Sequence, residues 1–167
     1  MNKYEFNSKD GAKISLHFTS NFDVVLHKSK KEVIASHVLF YNCCVGVVFP
    51  PILRYCFEKD INLKERPFLR DLPFEDLSKF DPSETNYVLG RPLEYPVHSV
   101  KSIDGNLVIQ DKTWSHQKIV LEPEDIAELV EGFLRILNCY HVQGAYIECA
   151  QMFQYYHTCL EEGSLKK

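Results

Sequence analysis

Two hydrophobic periods take turns along this chain. Ala12, Ile14, Leu16 and Phe18 alternate with Lys13, Ser15, His17 and Thr19, the period-two pattern of a strand with one buried face. Residues 3–8 read as a strand before it, across an Asp10-Gly11 turn, and Phe22, Val24 and Leu26 as a third strand after it. Ser29-Lys30-Lys31-Glu32 then fits a capping box, in which the serine accepts from a first-turn amide and the glutamate reaches back. Val33, Ile34, Val38, Tyr41 and Val45 follow at helical spacing and predict a helix. The order returns later. Residues 97–103 and 107–114 form strands around an Asp104-Gly105 hairpin signal, and 118–121 a third strand. Glu122-Pro123-Glu124-Asp125 opens a helix, because proline needs no amide donor at the first helical position and carboxylates suit the positive end of the dipole. Ile126, Leu129, Val130, Phe133, Leu137 and Tyr140 line one face of that helix.

The expected fold is therefore α+β: two antiparallel β-sheet units, each of three strands followed by a helix, over 1–49 and 95–140, within a single domain of 167 residues. Their shared order reads as a degenerate internal duplication. Between them, 50–94 is a proline-rich connector; seven of the eight prolines fall between Pro50 and Pro96, and Pro50-Pro51 is expected to stop the first helix. Within it 73–77 and 81–84 each read as a helical turn. Tyr146, Cys149, Ala150, Phe153, Tyr156 and Leu160 then mark an extra C-terminal helix over 144–163, with Gly163 as its C-cap. Its aromatic stripe is either core or an oligomer surface.

Composition narrows the function classes. A hydrophobic content of 45% is incompatible with global disorder. No apolar run is long enough to span a bilayer, and the first five residues contain no signal core, so an intracellular protein without a membrane partner is expected. Six cysteines without a secretory context read as buried thiols rather than a disulfide framework, and neither they nor the seven histidines have zinc-ligand spacing. No metal or cofactor is expected. Net charge is −4, but unevenly placed: residues 1–31 carry six lysines against three acids, and 122–165 eight acids against one arginine.

No phosphate loop, dinucleotide fingerprint or nucleophile elbow is present, which favours a non-enzyme. A cysteine-dependent enzyme pairing His37 with Cys43-Cys44, or His157 with Cys159, is the third-ranked alternative. The strands carry more. Val108, Gln110, Lys112 and Trp114 share one face of their strand, with Lys118 across a short turn. Lysine beside an aromatic ring on an open sheet suits a single strand of nucleic acid, since the cation holds phosphate and the ring stacks on an unpaired base. Lys13 and His17 occupy the outward face of the earlier unit. The bland counterpart is that these are ordinary solvent-facing residues and that Trp114 packs under the helix.

The segment 106–112, then Ile119-Val120-Leu121-Glu122-Pro123, then Ile126-Ala127-Glu128-Leu129-Val130 with Phe133, Ile136 and Tyr140, resembles the second repeat of the Whirly proteins. It is more distantly similar to the positive cofactor four coactivators, where a tryptophan near the place of Trp114 ends a strand. Lys9-Asp10-Gly11-Ala12-Lys13 loosely echoes the lysine-glycine-lysine motif of plant Whirly proteins. The resemblance covers about 45 residues; the proline-rich connector and the acidic balance depart from it. It implies two sheets packed on helices about a pseudo-twofold, binding of single-stranded DNA or RNA, and homo-oligomers formed through helices. Carried onto this sequence, the contacts are Lys112, Trp114 and Lys118, then Lys101 and Lys13, with His17 beside them. The function expected is single-stranded nucleic-acid binding in transcription, replication or RNA handling. The alternative is a protein-interaction module of the same fold.

Overall fold

Turn chemistry sets both sheets. The computed structural model describes residues 3–20, 23–30, 35–72, 98–111, 117–139 and 143–165, with backbone alone at 42–47, 98, 139 and 143–145. β1 (Lys3–Asn7) and β2 (Lys13–Phe18) are joined where Gly11 takes a positive φ of 86°. The Asp10 carboxylate ties this turn by accepting from the Ala12 amide at 2.9 Å and from the Ser8 hydroxyl. β3 (Val24–Ser29) and β4 (Ser36–Phe40) complete a four-stranded antiparallel sheet in the order β1-β2-β3-β4. In the second sheet, β5 (His98–Ile103) and β6 (Asn106–Asp111) meet through Asp104 and Gly105, at φ 52° and 82°. Two consecutive positive φ values match the twist of a two-residue hairpin. β7 (Lys118–Leu121) completes the order β5-β6-β7.

The first unit departs from expectation at Ser29 and at residues 36–40. Ser29 ends β3 instead of capping a helix, and 36–40 form a fourth strand. Val38 and Phe40 lie opposite Leu26 and Val24, so the fourth strand extends the apolar face of its neighbours. Helix α1 (Asn42–Glu58) begins later and runs through Pro50 and Pro51 instead of stopping there. Each interior proline costs about 3 kcal/mol. Val48, Phe49, Ile52 and Leu53 are all buried, and each returns about 1.5–3 kcal/mol, so packing outweighs the breakers. The connector therefore starts after Glu58, with a 3₁₀ turn (Leu63–Glu65) and the single-turn helix α2 (Pro67–Arg70). The turns expected at 73–77 and 81–84 lie outside the described residues.

The second unit follows expectation closely. α3 (Pro123–Cys139) opens at Pro123, and Asp125 reaches back to accept from the Glu122 amide at 3.3 Å. The other Asp125 oxygen takes the Lys9 amide at 2.9 Å, fixing this helix start to the β1–β2 turn. α4 (Gln143–Glu162) ends at Gly163, φ 68°, where Ser164 donates to the Cys159 carbonyl and Gly163 to that of Leu160. This is the Schellman pattern. The fold is thus α+β, with two antiparallel sheets, each followed by helices, and a C-terminal helix.

One core joins both halves. Phe6, Ile14, Leu16, Leu26 and Phe40 of the first sheet and Leu107, Ile109, Ile119 and Leu121 of the second bury into it with the helices. The helix after each sheet leans on the other sheet: α3 lies against β1 and β2, and α1 against β5 as well as β4. Tyr55 on α1 donates to the Gly105 carbonyl in the β5–β6 turn at 2.7 Å. Tyr4 on β1 donates to Glu131 on α3 at 2.8 Å. The aromatic stripe of α4 is core: Cys149, Phe153 and Tyr156 are buried, with α4 packed on α1 and α3. The sheets meet edge to edge at β4 and β7, where Gln117 caps the His37 amide at 3.0 Å and Lys28 donates to the Val120 carbonyl at 2.8 Å.

Candidate functional site

Strand alternation decides what the first sheet shows on the side turned from the helices. With Ile14 and Leu16 facing the core, Lys13, Ser15 and His17 must point the other way. The register then builds rows across that outward face. Lys3, His17, Val25 and Leu39 form one row; Glu5, Ser15, His27 and His37 form the next. His27 and His37 stand directly opposite, their rings 6.4 Å apart between centroids and 22° from parallel. His17 lies diagonal to His27, one strand over. Val25 and Leu39 are half-buried and make an apolar floor at the end of the imidazole row.

The face is not simply basic. Glu5 takes the ammonium groups of both Lys3 and Lys13, the latter at 3.0 Å, and they hold its carboxyl below the usual range. Burial pushes the His17 imidazole below its ordinary pKa, with Lys3 adding to the effect. Burial does the same to His27, followed by the repulsion of His37, His17 and Lys3. These rings are therefore held neutral at neutral pH, with a store of positive charge available in acid.

On the second sheet, Lys101 and Lys118 share the side opposite Leu107, Ile109 and Leu121. Lys101 aligns with Val108 and Val120, and Lys118 with Gln110 and Ser99, so the two lysines sit on adjacent rows of the outer strands. Val108, expected on an open face, is only 8% exposed. Of the sequence-predicted contacts, Lys13 and His17 thus lie together on one sheet and Lys101 and Lys118 on the other. Lys112 and Trp114 lie outside the described residues. The sequence alone does not place His27 or His37 on this face; His37 figures there only as a partner for Cys43-Cys44. Val24-Val25-Leu26 and Val38-Leu39-Phe40 are unbroken apolar runs, so no alternation in the sequence marks either ring as outward; the pairing of the strands does.

Away from the sheets, the chemistry is structural. Glu131 on α3 is buried and accepts from Tyr4, from Arg66 Nε at 3.1 Å and from Arg135 Nε at 3.1 Å. Burial would raise its pKa, but the two guanidinium groups and the tyrosine bring it below the ordinary value. Burial pushes the Tyr4 phenol up to about 12, helped by Glu131. The described free thiols, Cys56, Cys149 and Cys159, are buried, and burial raises the first two well above the usual thiol range, opposite to an activated nucleophile. His157 lines a cleft of about 240 Å³ between the α2 region and α4, beside Lys64, Arg70 and Phe153. Its Nε2 is buried without a hydrogen-bond partner, and burial lowers its pKa to about 4. Cys43 and Cys44 side chains fall outside the description, so their pairing with His37 does too.

Among the described residues no group of three or more His, Cys, Asp or Glu side chains is placed to hold a metal ion. None of the described helices is long and apolar enough to cross a membrane. No protein-family model, curated protein or solved structure matches the chain.

Proposed function

We propose that the protein binds single-stranded nucleic acid on the outward faces of its sheets, as a non-enzymatic protein of the Whirly-like kind acting in transcription, replication or RNA handling. The observation that carries this reading is the outward face of the first sheet. It sets three imidazole rings, two lysines and an apolar floor on four neighbouring strands. Planar rings on a pleated surface stack on unpaired bases, worth about 1–3 kcal/mol per base, while ammonium groups track the phosphates. Lys101 and Lys118 extend the cationic positions onto the second sheet, and Trp114 supplies the stacking residue of the Whirly resemblance.

Titration of a labelled single-stranded oligonucleotide at several salt concentrations tests the reading. Affinity falls as salt rises, and Lys118→Gln or Lys101→Gln lowers the salt slope by about one each. Trp114→Ala in a variant that stays folded weakens binding. Negligible binding by wild type and variants alike refutes the proposal.

A second reading, a protein-interaction module, is favoured by one feature: Glu5 already engages both lysines of the histidine face. Under it, the oligonucleotide titration is flat and Glu5→Gln leaves it flat. Assembly through helices is part of the first proposal. With the α4 stripe used inside the core, Ile147 and Leu160 are the large apolar side chains α4 leaves exposed. Light scattering that finds a strict monomer at micromolar concentration removes that element.

A further inference from the structure

Resting on the nucleic-acid reading above, we propose that the outward face of the first sheet, lined by His17, His27 and His37, is a proton-linked polyanion site, in which His17 and His27 gain protons as phosphates close over the face.

Geometry carries the inference. Three imidazoles occupy three adjacent strands of one sheet face, two of them directly opposite and stacked at 6.4 Å, the third on the neighbouring diagonal. Cross-strand neighbours on one face interact strongly, and like charges directly opposite destabilise one another. His37, directly opposite, therefore disfavours the charged form of His27 in the free protein. Among the described strand residues, the other charged groups on this face are Lys3 and Glu5 from β1 and Lys13 from β2. From the β7 side, the neutral Gln117 carboxamide accepts from the His37 backbone amide. Glu5 is occupied by the two lysines, leaving the acid balanced and the imidazoles with net positive neighbours.

Burial is the main cause of the lowered pKa of both His17 and His27; the repulsion of His37 and His17 adds to it at His27, and that of Lys3 at both. A polyanion reverses the sign of the surroundings. Each phosphate near an imidazole favours its charged form, so the complex holds more protons than its separated parts. By linkage, affinity must rise as pH falls, by up to about tenfold per pH unit for each proton taken up. The neutral rings stack on bases at pH 7.5, and the protonated rings add ion pairs with phosphate at pH 5.5. The site is thus matched to a ligand that presents both flat bases and phosphate, which is single-stranded nucleic acid.

The test is a fluorescence anisotropy titration of a labelled single-stranded oligonucleotide against the full chain at pH 5.5, 6.5 and 7.5, at constant ionic strength. The inference expects affinity at pH 5.5 at least tenfold above that at pH 7.5. In the His27→Gln/His37→Gln variant that ratio drops below threefold. Because histidine is the side chain whose ordinary pKa falls between these pH values, the variant separates this face from the chain's other histidines. A variant ratio equal to that of wild type overturns the inference. Binding that is tight and independent of pH also overturns it while leaving the nucleic-acid reading in place; absence of binding at every pH ends both. A second measurement needs no substitution: histidine ring proton shifts followed by NMR with pH, with and without oligonucleotide. The inference expects the transitions of His17 and His27 to move to higher pH on binding, and unmoved transitions refute it.

Discussion

Gly132 offers a sharp test of how the two halves are fitted together. It lies on α3 where the helix crosses β1 and β2, and a methyl group there would sit 2.6 Å from Cδ1 of Tyr4 and 2.9 Å from Cδ1 of Leu16. Comfortable carbon–carbon separation is about 3.5–4.0 Å, so the overlap with the tyrosine ring approaches one ångström. Neither neighbour yields easily. Leu16 is fully buried, and the Tyr4 ring is anchored through its hydroxyl to Glu131, which Arg66 and Arg135 hold in turn. Gly132→Ala gains about 1 kcal/mol of helix propensity. Overpacking costs about 1–3 kcal/mol, and displacing the tyrosine weakens a charge-assisted hydrogen bond of about 1.5–3 kcal/mol. The net expectation is a loss of about 2 kcal/mol, read as a lower urea midpoint with an unchanged m-value. In a Tyr4→Ala background the closer clash is gone and only that with Leu16 remains, so the same substitution costs less. The double-mutant cycle then gives a coupling of about 1 kcal/mol. A Gly132→Ala protein as stable as wild type, or a cycle with no coupling, refutes this account of the α3 contact.

Glu131→Gln keeps the shape but loses the charge facing two guanidinium groups, and should lower stability at pH 7 by about 1–3 kcal/mol in urea denaturation. The sign with pH follows from a folded pKa depressed below the unfolded one. The Glu131 contribution is full above the unfolded carboxylate value and is lost as pH falls through the lower folded value, so the variant should show a shallower acid limb. His157 also has a depressed pKa, but as a base it is kept neutral by burial. Stability should therefore fall from about pH 6.5 towards 4 as the unfolded chain takes up the proton, and His157→Phe should flatten that decline in thermal scans. Tyr55→Phe deletes the bond to Gly105 and should cost about 1 kcal/mol, measurable in denaturant. Cys56 and Cys149 should resist alkylation in the native protein and react only on unfolding; rapid native labelling at either position would contradict their burial.

What the sequence revealed, and what it hid, follows the range of the interactions involved. The second unit was legible because its signals are local: Asp104-Gly105 takes the φ values its turn demands, Pro123 starts a helix, and Gly163 ends one. Residues 36–40 were misread because the apolar positions around them fit a helix, and Val38-Leu39-Phe40 is an unbroken apolar run in which period cannot arbitrate. The decision came from β3, which offers Val24 and Leu26 as partners for Phe40 and Val38. Pro50-Pro51 misled for a related reason, since local breakers were outweighed by side chains that bury far away in sequence. The candidate site divides in the same way. Alternation alone sent Lys13 and His17 outward, whereas meeting of His27 with His37 depends on a strand pairing that no spacing rule announces.

The crossed support of the two sheets has a consequence for how this chain can be divided. Because α1 leans on β5 and α3 on β1 and β2, each half shields an oily surface belonging to the other. A fragment ending near residue 72, or one beginning near 98, would carry that surface bare into water. Such pieces should clump when produced singly and recover a shared, cooperative melting transition only when brought together. The two-part plan should therefore not yield two separately folding parts.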